Sequence, residues 1–161
     1  MLRFNINSET LVSGASLAIE DAEKLEITFN GEKVPANVTG WYVDKAIKTV
    51  SLPDIRVGKN VLVVKISFGR RTNTEWCYIL GEFNVKLEGA VATLIPSTEE
   101  IGFSSLTAQG MPYYGGNIIY KTEVDVPECT AVIHTTYYRG ALIKVIVDGK
   151  EAGKIVFSQY E

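Results

Sequence analysis

ALIKVIVDGKEAG, residues Ala141 to Gly153, reads as a β-hairpin. Leu142, Ile143, Val145, Ile146 and Val147 form a β-branched, largely alternating run that suits a pleated, half-buried surface. Asp148-Gly149 then supplies the two positive φ angles that a two-residue primed turn requires. A short polar continuation, Lys150-Glu151, starts the return strand.

The same phrase stands earlier, at Leu25 to Val34: LEITFNGEKV, with Asn30-Gly31 in the place of Asp148-Gly149. SLAIEDAEK (Ser16 to Lys24) precedes the first copy and AVIHTTYYRG (Ala131 to Gly140) the second. Leu2 to Ile6 likewise parallels Ile118 to Val126. Strand, strand, strand and Asx-Gly turn in one order, twice, predict a diverged internal repeat.

Between the copies the strand signals continue. Trp41 to Asp44, Ala46 to Leu52, Val61 to Phe68 and Ala90 to Ile95 read as strands. Trp76 to Gly89 reads as one strand broken near Gly81, because an isolated glycine in a strand marks a bulge or bend. Ser97 and Glu100 have capping-box spacing, but Gly102 and Gly110 limit the following segment to a single turn or a short helix. No stretch sustains a helical period. The expected fold class is an all-β antiparallel sandwich of the jelly-roll kind. Its expected division is a first sandwich over 1–95 and, over 96–161, a linker plus an incomplete second repeat. That second part either packs with the first as one composite domain or pairs with another copy of the chain, so the molecule is a monomer or a strand-paired dimer.

Composition narrows the function. A net charge of −3, with Lys and Arg adjacent only at Arg70-Arg71, argues against a nucleic-acid partner. No apolar run reaches the roughly 20 residues of a helical membrane span. The N-terminal MLRFNINSET carries no signal-peptide core, as expected of a cytoplasmic chain or of a piece of a longer protein, and the compartment stays open. Cys77 and Cys129 lack metal-ligand spacing and read as small buried apolar groups. His134 is the single histidine, which excludes a multi-histidine metal centre, and no nucleophile-elbow phrase accompanies it. No cofactor is expected.

NGEKV, then Trp41-Tyr42-Val43-Asp44, then SLPDIRVGKNVLVVKISF resembles the galactose-binding-like jelly rolls attached to glycoside hydrolases, with Gly58, Asn60 and Leu62 at matching places. WCYILGEFNV and QGMPYYGGNIIYKTEVDVPE are similar to β-sandwich regions of family 2-like and rhamnosidase-like enzymes. There a GxPxYxGxxxY phrase opens the sugar-binding domain, echoed here by Gly110, Pro112, Tyr114, Gly116 and Tyr120 with altered spacing. The resemblance implies a non-catalytic accessory sandwich that supports the catalytic domain of the same parent chain and binds carbohydrate weakly. It thereby implies that the chain is a fragment. The alternative is a structural or protein-interaction module without a sugar site.

Carboxylates are plentiful, yet the sequence assembles no facing pair of the kind glycoside hydrolysis needs. The aromatic residues are more informative. Pyranose C–H faces stack on exposed aromatic rings while polar neighbours fix the hydroxyls. Two groups fit: Trp41-Tyr42 with Asp44, and Tyr113-Tyr114 with Arg139. Each also has a plain structural reading, ring packing for the aromatics and turn anchoring for Asp44.

Overall fold

A computed structural model describes residues 1–67, 69, 70, 72, 77–126, 132–135, 138 and 140–156. The chain divides into two compact units, Met1–Ile118 and Ile119–Glu161. Among the described residues the only helix is two three-residue 3-10 turns, Ala22–Lys24 and Thr107–Gln109, so the protein is all-β.

The described residues of the first unit form ten strands: β1 Leu2–Ser8, β2 Ser16–Glu20, β3 Glu26–Phe29, β4 Glu32–Val34, β5 Val38–Tyr42, β6 Asp44–Ser51, β7 Gly58–Lys65, β8 Tyr78–Leu80, β9 Asn84–Glu88 and β10 Val91–Ile95. They form a six-stranded sheet in the order β4-β3-β7-β1-β10-β9 and a four-stranded sheet in the order β5-β6-β2-β8. The large sheet is mixed rather than purely antiparallel, because β1 and β10 pair in parallel at Asn7–Thr93 and Ser8–Leu94. First and last strands thus lie side by side and close the unit.

Alternation decides which side of each strand is buried. Leu17 and Ile19 on β2, Val50 on β6, Ile27 and Phe29 on β3, and Leu62 and Val64 on β7 join one apolar core drawn from both sheets. Each such side chain contributes about 1.5–3 kcal/mol. The arrangement is a β-sandwich.

Trp76 to Gly89 does break near Gly81. The chain leaves the small sheet at the end of β8 and enters the large sheet as β9. Gly81 sits where a Cβ would lie 3.1 Å from Val12 Cγ1 and 3.2 Å from the Phe83 ring, so close packing accounts for the glycine.

Residues 96–118 go with the first unit rather than acting as a linker after Ile95. Asn84, buried at the start of β9, donates through Nδ2 to Thr98 Oγ1 (2.9 Å) and to the Gln109 carbonyl (3.2 Å). Val85 N–H donates to the Gly110 carbonyl at 2.6 Å. Gln109 in turn clamps its own loop, accepting from Gly102 N–H and donating to the carbonyls of Gly102 and Ser104. No helix starts at Ser97.

The second unit is built around one hairpin, β11 Ile143–Val147 and β12 Lys150–Ile155. Both Asx-Gly pairs adopt the expected turn: φ is 51° at Asn30 and 88° at Gly31, and 49° at Asp148 and 77° at Gly149. Among the described residues the repeat is nevertheless confined to the hairpins. Ile118 to Val126 carries no strand, unlike Leu2–Ser8, and the described residues 132–135 carry none either. Alternation there is sufficient for an extended chain, whereas a strand needs a neighbour to pair with. On the hairpin, Glu151 lies between Lys144 (3.0 Å) and Lys154 (3.4 Å), which hold its carboxyl below the usual carboxylate range.

Candidate functional site

The Trp41–Asp44 segment lies at the free edge of the small sheet. Among the described residues its strand, β5, pairs only with β6, and the pairing slips at Gly40 and again between Trp41 and Tyr42. Val43 closes the turn between Tyr42 and Asp44 with a φ of 61°, which a β-branched side chain rarely accepts, and its own side chain is 77% exposed. Such strain costs about 1–3 kcal/mol and persists only where the surroundings impose it. The imposing contact is next to it. Asp44 Oδ accepts the Ala46 N–H at 2.7 Å, an Asx turn that fixes the start of β6. Asp44 is therefore a turn anchor.

Tyr42 is half-buried, its ring 5.5 Å from that of Tyr78 at an interplanar angle of 56°. The two rings explain a neighbour. Ala18 points away from the core, since Leu17 and Ile19 on either side face it, yet it is fully buried. Its cross-strand partner is Tyr78, so the tyrosine pair roofs a small residue on the outer face. Of the expected trio, Trp41 alone presents an open ring: it is 55% exposed while its backbone pairs with Lys48.

Tyr113 and Tyr114 follow the Thr107–Gln109 turn. Tyr114 Oη donates to the Asn117 carbonyl at 2.7 Å and closes the loop. A Cβ on Gly116 would stand 2.7 Å from that hydroxyl, and a Cβ on Gly110, whose φ is 82°, would stand 3.0 Å from Asn84 Cβ. The Gly110–Gly116 phrase is thus explained by loop packing. Tyr113 projects into solvent at 72% exposure. Arg139, like Trp76, Tyr137 and Cys129, lies outside the described residues.

Cys77 is half-buried against the core, and desolvation pushes its thiol up. His134 is exposed and belongs to no strand. Among the described residues no three His, Cys, Asp or Glu side chains gather where a metal could sit, and no helix is long and apolar enough to cross a membrane.

A second surface was not anticipated from the sequence. On the outer face of the large sheet, the β3–β4 turn and the 56–57 loop wall a concavity of about 550 Å³. Its floor is Thr28, Val61 and Val63, residues that alternate with the core-facing Phe29, Leu62 and Val64. Arg3, Arg56 and Lys59 line it, all exposed, and among the described residues no carboxylate does.

Register brings the cations together: Val63 pairs with Arg3 on one side and Thr28 on the other, and Thr28 pairs with Lys33. A row Lys33–Thr28–Val63–Arg3 therefore crosses four strands. Asn60, fully buried, fixes the walls. Its Oδ1 accepts from Asn30 Nδ2 (2.9 Å) and Arg56 N–H (3.1 Å), and its Nδ2 donates to the Arg56 carbonyl at 2.7 Å. Asn30 Oδ1 accepts the Val61 N–H at 2.9 Å. The GKN phrase is thus the joint between turn, loop and strand.

No protein-family model, curated protein or solved structure matches this chain.

Proposed function

We propose that the protein is a non-catalytic accessory β-sandwich of a carbohydrate-active protein, which supports a catalytic domain and binds saccharide weakly. The observation that carries the saccharide part is Trp41. An indole held on a paired strand, beside a strained turn, and still more than half exposed is a rigid apolar surface without a protein partner to cover it. Such a ring suits the C–H face of a pyranose. Because the contact is small and open, the affinity is in the millimolar range, about −4 kcal/mol.

A glycan array followed by an NMR titration tests it. Trp41→Ala should abolish the shifts that the best glycan produces in the wild-type protein, and Tyr113→Ala should leave them in place. Unchanged perturbations in Trp41→Ala would remove the platform.

A structural or protein-interaction module is the second reading, and one observation favours it. The second unit leaves Ile119, Val124, Val132, Ile133 and Ile146 exposed, a density of apolar surface that marks contact sites in other proteins. An array without hits, together with capture of a defined protein partner, would support that reading instead.

A further inference from the structure

We infer that the concavity on the large sheet is a separate binding site for a saccharide bearing an oxyanion, a uronate carboxylate or a sulfate ester. The class of ligand rests on the carbohydrate reading above; the location and the charge do not.

Three features of the site carry this. Its charge is of one sign. Arg3, Arg56 and Lys59 line it and none of the described acidic residues does, in a chain whose net charge is −3, and no described carboxylate pairs with any of the three. Lys65, on the same strand as Lys59, is by contrast paired with Glu26 at 3.1 Å. Cations left unpaired beside a concavity are what an anionic ligand needs, and two guanidinium groups can each grip a planar oxyanion with paired N–H donors.

The floor and walls fit a sugar rather than a bare ion. Val57, Val61 and Val63 offer apolar surface for ring C–H groups, and Thr28 adds a hydroxyl on the floor. A volume of about 550 Å³ lies within the range of small-molecule sites. An inorganic anion alone would leave most of it empty.

The site is also held in shape. The floor lies on two hydrogen-bonded strands, β3 and β7, and the buried Asn60 amide ties the wall that carries Arg56 to the turn that carries Asn30. Preorganised walls spare the ligand the cost of ordering them.

The test is an amide-resolved NMR titration of the whole chain. The probes are a trigalacturonate, its fully methyl-esterified form, a sulfated disaccharide and inorganic polyphosphate. Trigalacturonate should shift the amides of Gly31, Val57, Lys59 and Val61. Methyl esterification, which removes the charge at the expense of one added methyl per carboxyl, should weaken binding at least about tenfold, the scale of one charge-assisted hydrogen bond. Arg3→Gln with Arg56→Gln should weaken it by a similar factor or more while amide dispersion is kept, since both side chains are exposed. Tighter binding of the sulfated sugar would support the inference and assign the sulfate ester.

Equal binding of the methyl ester, or shifts confined to other residues, would overturn the inference. So would polyphosphate binding as tightly as the uronide, which would mark a charge trap without sugar character. Failure here is separable from failure of the platform. A neutral glycan that shifts Trp41 while the uronide leaves the concavity untouched sinks this inference alone, and the opposite pattern sinks only the Trp41 platform.

Discussion

Asn60→Ala should destabilise the first unit by about 2–4 kcal/mol. The side chain is fully buried, and the truncation removes three good hydrogen bonds: from Asn30 Nδ2 and Arg56 N–H, and to the Arg56 carbonyl. The 3.4 Å contact with the Gly58 carbonyl is too long to count for much. At about 1 kcal/mol net for each bond, the sum is near 3 kcal/mol, with the upper end reached if the orphaned groups stay dry.

Urea unfolding followed by tryptophan fluorescence measures this, and both tryptophans fall within Met1–Ile118. With an m-value of about 1.5 kcal/mol/M, the midpoint should drop by about 2 M. Asn60→Asp separates the acceptor from the donor role. It can still accept from Asn30 and Arg56, but it sets a carboxylate against the Arg56 carbonyl. Burial and that carbonyl would raise its folded-state pKa, so the variant binds more protons folded than unfolded. Its penalty relative to the parent should therefore grow as pH rises above about 4, the unfolded carboxyl value, and stay small below it. A midpoint shift under about 0.3 M for Asn60→Ala, or a penalty in Asn60→Asp that does not change with pH, would refute the account of Asn60 as the joint.

Two further outcomes follow from backbone geometry. Gly31→Val and Gly149→Val should each cost about 1 kcal/mol or more: nothing lies within 4 Å of the added Cβ, so the loss is conformational, at φ values of 88° and 77°. Two variants that melt like the parent would show the turns to be mis-assigned. Val43→Gly should have the opposite sign, stabilising by up to about 1 kcal/mol, because it relieves a β-branched residue at φ 61° that is exposed and packs on little. A destabilised Val43→Gly in thermal melts would mean that the side chain makes a contact outweighing the strain.

What the sequence determined by itself is local. Asx-Gly between β-branched runs specifies a primed turn from φ preferences alone, and both turns formed. Strand signals likewise marked Ser16 to Glu20 and Val61 to Phe68, and the glycine at 81 marked a break in an expected strand, which the structure turns into a crossing between sheets. The second copy shows the limit. Ile118 to Val126 alternates as well as Leu2–Ser8 does, but only Leu2–Ser8 has β7 and β10 beside it, and pairing is a property of neighbours.

The sites divide in the same way. Trp41, Tyr42, Tyr113 and Tyr114 could be named as candidates because aromatic residues near turns are visible in a sequence. Which of them is free was decided by packing: Tyr42 is spent on Tyr78, Tyr114 on Asn117, and Asp44 on its own turn. The cationic concavity was only partly visible in the linear order. Arg56 and Lys59 fall in the acid-free stretch 55–74, with Lys65, Arg70 and Arg71, but Arg3 and Lys33 lie far from it in the chain. The four share one face only because β4, β3, β7 and β1 lie side by side in that register, and sheet order is set by long-range burial that no local pattern encodes.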